Sequence, residues 1–178
     1  AFVALGKKGL SRARKAVKSG EGRLPLTSVK LLAPFPRPAK NILCVGKNYH
    51  DHAREFHNSG FDASAGANAI PEVPIMFTKW PNSVIGPGDA IPSANDYTNS
   101  VDYEGELTVV MGEGGRNISQ KNAYKHVYGY TIINDVTART LQNRHKQWFL
   151  GKSPDGFWPM GPCIVTADEI RDVTQLRL

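Results

Sequence analysis

The run Val101-Asp102-Tyr103-Glu104-Gly105-Glu106-Leu107-Thr108-Val109-Val110-Met111-Gly112 sets two acids two positions apart in a strand-forming stretch. Side chains alternate along a strand, so Glu104 and Glu106 leave one face while Tyr103, Leu107 and Val109 leave the other. Two carboxylates held that close repel, each raising the other's pKa, until a cation lies between them. Oxygen-only ligands suit hard ions such as Mg²⁺, Mn²⁺ or Ca²⁺. Gly105 leaves room for a ligand or a second backbone. Asp135 closes another apolar run, Gly129-Tyr130-Thr131-Ile132-Ile133-Asn134-Asp135, and a residue at a strand end is fixed yet reachable. The same Glu-Gly-Glu alternation also describes the solvated face of a half-exposed strand, and spacing alone leaves both readings open.

A second group lies in Tyr49-His50-Asp51-His52-Ala53-Arg54-Glu55-Phe56-His57, whose polar density and lack of Gly or Pro suit a short helix. His52 and Glu55 then share a face, placing an imidazole beside a carboxylate. A Glu accepting from one ring nitrogen fixes the tautomer and leaves the other nitrogen free to take a proton from water. A surface helix that happens to carry three His residues fits the same letters. Lys79, at the end of Pro74-Ile75-Met76-Phe77-Thr78-Lys79, could bind an anionic substrate group or serve as an ordinary surface lysine.

These groups need elements to hold them. Asn41 to Gly46 is a continuous apolar run suited to a strand buried on both faces. Ser59 to Pro74 is rich in Gly, Ala, Asn and Ser, the composition of a loop, and it directly follows the candidate base, where a lid could close over substrate. Leu24 to Pro34 reads as a short strand, and Pro34, Pro36 and Pro38 impose an extended connector. Leu5 to Val17 reads as a weakly amphipathic basic helix stopped by Ser19-Gly20. Ser119 is expected to cap a helix over Gln120 to Tyr128, with Ala123, Tyr124 and Val127 facing inward. Thr137 to Lys146 reads as a polar helix, Ser153 to Pro162 as loop, and Ile164 to Thr166 as a short strand.

The 178 residues, 40% of them hydrophobic, allow one sizeable core. The net charge of +6 is local: residues 1 to 40 hold ten basic residues and one acid, leaving 12 basic against 15 acidic in the rest. That basic segment has only Phe2 and Phe35 as aromatics, which suits a solvated arm better than a nucleic-acid surface. Cys44 and Cys163 lack metal spacing and are expected to be buried thiols in a reducing compartment. No apolar run is long enough to span a bilayer and the start lacks the order of a signal peptide, so a cytoplasmic protein with no membrane or nucleic-acid partner is expected.

Taken in order, several stretches together resemble the fumarylacetoacetate hydrolase family from about Ser28 to Asp172. They are Leu31-Leu32-Ala33-Pro34, Ile42-Leu43-Cys44-Val45-Gly46-Lys47-Asn48-Tyr49, Tyr103-Glu104-Gly105-Glu106-Leu107, Gly129-Tyr130 through Asn134-Asp135-Val136-Thr137-Ala138-Arg139, and Gly151-Lys152-Ser153 through Gly161-Pro162. The resemblance implies an α+β, mostly β chain, a mixed β-sandwich roll of the family's C-terminal-domain type. Residues 1–28 would be a basic N-terminal segment and 29–178 the N-terminal portion of the catalytic domain. The family continues past this chain's last residue with a Thr-Gly-Thr-Pro stretch and further strands, so a truncated domain is expected. Thr140 stands where many members carry Asp.

The resemblance also assigns roles. Glu104, Glu106 and Asp135 match three carboxylates that hold Mg²⁺ or Mn²⁺, in some members Ca²⁺. His52 and Glu55 match a His-x-x-Glu pair carried on a lid. Lys79, Gln142 and Lys152 match residues lining the same pocket, with Tyr103 a further substrate-binding candidate. Members cleave carbon-carbon bonds in acylpyruvate-like acids, while others tautomerise or decarboxylate related 2-oxo acids, and homodimers are common. The expectation is a metal-dependent hydrolase in which His52, held by Glu55, deprotonates water and Lys152 stabilises the oxyanion or protonates the leaving carbon. The alternatives are an isomerase, tautomerase or decarboxylase on the same metal site, and a non-catalytic binding protein that keeps the fold.

Overall fold

A computed structural model describes residues 2–60, 62 and 70–178. The first element, α1 (Phe2–Ser19), turns sharply at Gly6, whose φ of 51° and ψ of −130° are not helical. It ends at Gly20, where φ is +71°, the left-handed conformation that glycine adopts freely. Its Leu5 and Val17 stay exposed, so the arm contributes little to the core. Among the described residues no helix is long and apolar enough to cross a membrane.

Two short strands then pair antiparallel, β1 (Ile42–Gly46) and β2 (Ile75–Lys79), with Cys44 opposite Phe77 and Gly46 opposite Ile75. Between them lies α2 (His50–Asn58), which buries Ala53 and Phe56. Half of the loop expected over Ser59 to Pro74, residues 61 and 63–69, lies outside the described residues, and so does the lid expected there. A short strand, β3 (Val84–Ile85), leads to β4 (Val101–Asp102) and the central β5 (Gly105–Met111). Next come β6 (Val127–Asn134), β7 (Thr137–Ala138), α3 (Arg139–His145), α4 (Phe149–Lys152) and β8 (Trp158–Thr166).

The main sheet has the order β3-β8-β6-β5, and β4 pairs with β7 beside it. Among the described residues only β3 with β8 pairs parallel. On β5 and β6, Glu106 stands opposite Ile133, Thr108 opposite Thr131 and Val110 opposite Gly129. Directly opposed residues share a sheet face. That face is the inner one, because Ile133, Thr131 and Val110 are all buried. The core gathers Ala33, Ile133, Trp158 and Met160 with Phe35, Ile42, Cys44 and Val84 against them, and a second cluster joins Val136, Ala138, Leu141 and Phe157.

Several sequence expectations change. Leu24 to Pro34 forms no strand; it holds a single 3₁₀ turn at Leu26–Ser28, since Pro25 and Pro34 remove donors a ladder would use. Strand β1 is buried on one face only, with Leu43 75% exposed, because it belongs to a two-stranded sheet whose other side is uncovered. Gln120–His126 is 3₁₀ rather than α, Ser119 makes no side-chain cap, and Ala123 and Tyr124 are exposed. Thr137 and Ala138 pair with Asp102 and Val101 before α3 begins.

The largest departure is β8, which runs through the stretch read as loop. Its two prolines are tolerated because neither has to donate to the ladder. Pro159 lies beyond the last pairing with β6, at Met160, and stands opposite Ile85 at the end of the two-residue parallel pairing with β3, while Pro162 sits in a bulge where residues 162–164 face Thr131 alone. The Thr131 hydroxyl closes that bulge by donating to the Cys163 carbonyl at 2.8 Å. Cys163 is exposed, not buried as expected. Cys44 is half-buried on the inner face of β1, and loss of solvent pushes its thiol up to about 12.

Candidate active site

The β5–β6 ladder brings the acids together. Gly105 pairs with Asn134, so the Asp135 amide donates to the Glu104 carbonyl at 2.7 Å and the Asn134 side chain accepts from the Glu104 amide at 3.0 Å. Glu106, on the inner face, feels both neighbours: burial first, then the charges of Glu104 and Asp135, push its carboxyl up from 4.5 to about 7. The three acids therefore share one local field, Glu104 and Glu106 from one segment and Asp135 from another.

Cations thread between them. Lys152, on α4 and 2% exposed, donates from Nζ to Glu104 Oε2 at 2.6 Å and to Asp135 Oδ2 at 2.9 Å. Lys79 closes the other side of Asp135, its Nζ 2.6 Å from Oδ1. It also donates to the carbonyls of Val136 at 2.9 Å and Phe157 at 2.8 Å. All three of its protons face protein oxygens, and the residue is 0% exposed. Lys79 thus holds Asp135 in place instead of reaching into the cleft as a substrate-binding lysine, a correction that burial of the β2 end explains.

The series continues through Arg139, in the first turn of α3. One guanidinium nitrogen lies 2.6 Å from Glu104 Oε1, and the opposite edge grips Asp102 Oδ2 with Nε at 2.9 Å and Nη2 at 2.8 Å. Gln142, also buried, accepts from Arg139 at 3.2 Å, so it faces the site through that arginine. Lys79, Asp135, Lys152, Glu104, Arg139 and Asp102 form a ladder of alternating sign. Burial raises the Asp135 carboxyl, but Lys152 and Lys79 outweigh it and hold the group below the ordinary carboxylate range. Burial works against the Lys152 ammonium too, yet Asp135 and Glu104 raise its pKa, while burial drives Lys79 down to about 8.

Glu106 stands outside the ladder. Among the described residues it has no cationic partner, and its side-chain neighbour is the Tyr49 hydroxyl, which donates to it. The Tyr49 phenol is itself raised, by burial and then by Glu106. The donor chemistry here suits a hard dication: three carboxylates converge, and burial with crowding by the other two holds Glu106 in its protonated form up to about 7, a cost a bound cation would relieve. As placed, however, the Lys152 ammonium already bridges Glu104 and Asp135, and among the described residues no three ligating side chains form a ready cage. An incoming ion would compete with that ammonium for the same oxygens.

Above the acids, α2 forms the roof of a cleft of about 840 Å³ lined by Tyr49, His52, Glu55, Glu104, Glu106 and Arg139, with Tyr103 at its edge. Tyr103 is 79% exposed, in the short link between β4 and β5. A small cavity of about 20 Å³ beneath brings His52, Glu104, Glu106, Gln142 and Lys152 to one wall. The expected His52–Glu55 pairing is not present among the described residues. His52 instead stacks on Phe56, one turn along, with centroids 6.0 Å apart and 18° between planes, while Glu55 remains exposed.

Asp102 and Arg139 were not singled out from the sequence. The signal for Asp102 was available, since 102, 104 and 106 keep the two-residue period. Nothing local in the sequence marks Arg139 as the partner of an acid 35 positions earlier.

The fumarylacetoacetate (FAA) hydrolase C-terminal family matches residues 41–178. Oxaloacetate tautomerase YisK of Bacillus subtilis (strain 168) is 52% identical over 153 residues, 86% of this chain and 48% of that protein. A fumarylacetoacetate hydrolase from Exiguobacterium antarcticum superposes with a TM-score of 0.65 at 43% identity, over 88% of this chain and 55% of that one. The 5-carboxymethyl-2-hydroxymuconate delta-isomerase of Mycobacterium smegmatis gives a TM-score of 0.63 at 39% identity, covering 82% and 53%. The chain spans about half the length of the curated relatives it matches.

Proposed function

The chain belongs to the fumarylacetoacetate hydrolase family, and on that premise we propose that its cleft serves to interconvert the enol and keto forms of small 2-oxo dicarboxylic acids such as oxaloacetate. Hydrolytic cleavage was the leading sequence expectation. Isomerisation is now the better supported reading, because relatives named as oxaloacetate tautomerases and isomerases recur among the similar proteins. The geometry supports it through a single observation: His52 is seated on Phe56, without the Glu55 contact that would fix a water-activating tautomer. Hydrolysis needs an oriented nucleophilic water as well as a base, whereas tautomerisation needs only a proton moved between carbon and oxygen.

In this reading Glu104, Glu106 and Asp135 hold a dication, Mg²⁺ or Mn²⁺ with Ca²⁺ an alternative. When bound, it supplies Lewis-acid polarisation of the 2-oxo carbonyl. The chain's own groups do the rest. His52 removes a proton from C3 of the keto acid, the electron pair moves into the C2–C3 bond, and the carbonyl pair goes onto oxygen. That oxygen then takes a proton, giving the enol with no change in atoms. Lys152, positive between two acids, offsets charge developing on the oxygen. The Arg139 grip on Glu104 keeps that acid from swinging.

The test is the rate at which enol oxaloacetate relaxes to keto in the presence of the full protein, with Mn²⁺ and with EDTA, followed by ultraviolet absorbance. Acetylpyruvate cleavage is assayed in parallel by NMR. Faster relaxation that needs the metal, with acetylpyruvate intact, supports the tautomerase reading. Acetylpyruvate cleavage without faster relaxation restores the hydrolase, and pyruvate formed from oxaloacetate points to decarboxylation.

A further inference from the structure

We infer that Phe56 is a positioning residue for this site, the aromatic plug that seats α2 and so fixes where the His52 imidazole stands over the acids. The inference rests on the tautomerase reading for its kinetic consequence, and on geometry alone for its structural one.

Phe56 is 6% exposed although it sits on a helix whose other side chains are mostly solvated. Three groups from three other segments make its socket. Trp148 meets it edge-on, with centroids 6.0 Å apart at 87°. The Lys47 ammonium lies 5.9 Å from its centroid and the Arg139 guanidinium 5.6 Å. Trp148 is braced in turn by Phe77, edge-on at 5.3 Å, and by the bare backbone of Gly46, where a Cβ would run into the indole ring.

Each partner also has a fixed job elsewhere, which makes the socket stiff. Arg139 is the residue holding Glu104 and Asp102, so the plug touches the acid ladder through one side chain. Lys47, in the left-handed region at φ 53°, points its side chain inward to a buried ion pair with Asp62. A non-glycine residue held in that conformation costs free energy that its contacts must offset. The Phe56 ring also carries His52, stacked at 18°. Two cations near the ring and an indole set edge-on to it suit the ring quadrupole, and the imidazole makes a second aromatic contact. His52 therefore inherits its position from Phe56 rather than from Glu55.

The experiment combines kinetics with a probe that needs no turnover. In the full protein with Mn²⁺, Phe56→Leu keeps apolar volume but loses the ring, and kcat for enol relaxation should fall by about 100-fold, the scale of a base misplaced by about an ångström, with KM little changed. Phe56→Tyr should restore most of it. In a His52→Ala background the same Phe56→Leu change should cost nothing further, since residues acting through one another are not additive. Independently, the His52 ring-proton NMR signal should lose its ring-current shift in Phe56→Leu and keep it in Phe56→Tyr, and diethyl pyrocarbonate should modify His52 faster in the leucine variant.

Additive losses in the double variant, or a His52 signal unmoved by Phe56→Leu, overturn the inference. If the wild-type protein fails to relax enol oxaloacetate while the His52 signal responds as described, the tautomerase reading fails and the positioning role stands.

Discussion

The floor and the roof of the cleft are held by different physics. The floor is a row of six side chains of alternating charge, with Lys79, Asp135 and Lys152 buried, in which each of the four inner members ion-pairs with both its neighbours. The roof is one nine-residue helix seated through Phe56 and the small Ala53 and bordered by an ion pair, with most of its surface in solvent. Breaking a buried ionic ladder strands a charge in a low dielectric, whereas unseating an aromatic contact only shifts a helix. Damage to the floor should appear as lost stability, and damage to the roof as lost turnover in a protein that still folds.

The sharpest way to break that contrast is Lys79→Met. It leaves Asp135 with half its compensation, and the expected cost is about 3–5 kcal/mol by urea denaturation. Adding Asp135→Leu should recover much of it. A small loss for Lys79→Met would mean that the floor is no more rigid than the roof. Lys152→Gln comes next and should show both effects: it takes the shared ammonium from Glu104 and Asp135, so urea denaturation should show lost stability, and turnover of the protein that remains folded should fall about 10²–10³-fold, the scale of a lost oxyanion-stabilising donor.

Gly46→Ala probes the roof from beneath. The new methyl meets the Trp148 ring, and overpacking of this kind costs about 1–3 kcal/mol. Trp148 emission should change with it, and kcat should fall further than stability alone explains.

Glu106 sharpens the comparison through pH. Its folded pKa of about 7 lies above its ordinary 4.5, so the folded state binds the proton more tightly than the unfolded chain does. The stabilisation is complete below the ordinary value and is lost as pH rises through about 7. Glu106→Gln should therefore melt higher than wild type at pH 8, by roughly 2–4 °C, with no such gain near pH 4, and Mn²⁺ should give wild type a similar gain at pH 8. The smallest expected effect is that of Glu55→Gln, below about 0.5 kcal/mol in a thermal melt, because the exposed side chain makes no contact with His52.

Much of this architecture could be read from local pattern. Strands β1, β2, β5 and β6 and helix α2 follow from runs of the right period, and the two-residue spacing of Glu104 and Glu106 anticipates that both line one cleft, although Glu104 lies just before β5 begins. The misreadings have definite causes. The Pro-bearing stretch before Cys163 looks like loop because its prolines would break a regular ladder, and only pairing with β6 reveals the bulge that accommodates Pro162. His52 and Glu55 share a helical face as spacing requires, but sharing a face does not make a pair when Phe56 offers a closer stacking surface.

By itself the sequence determined which acids lie side by side and which helix carries the imidazole, because those relations are set within one element by its own repeat. Only the tertiary structure decided what answers them. Lys79 and Lys152 reach Asp135 across 56 and 17 positions, and Lys152 reaches Glu104 across 48. Contacts over such separations depend on sheet register and on where helices settle against the sheet, and no local period encodes either.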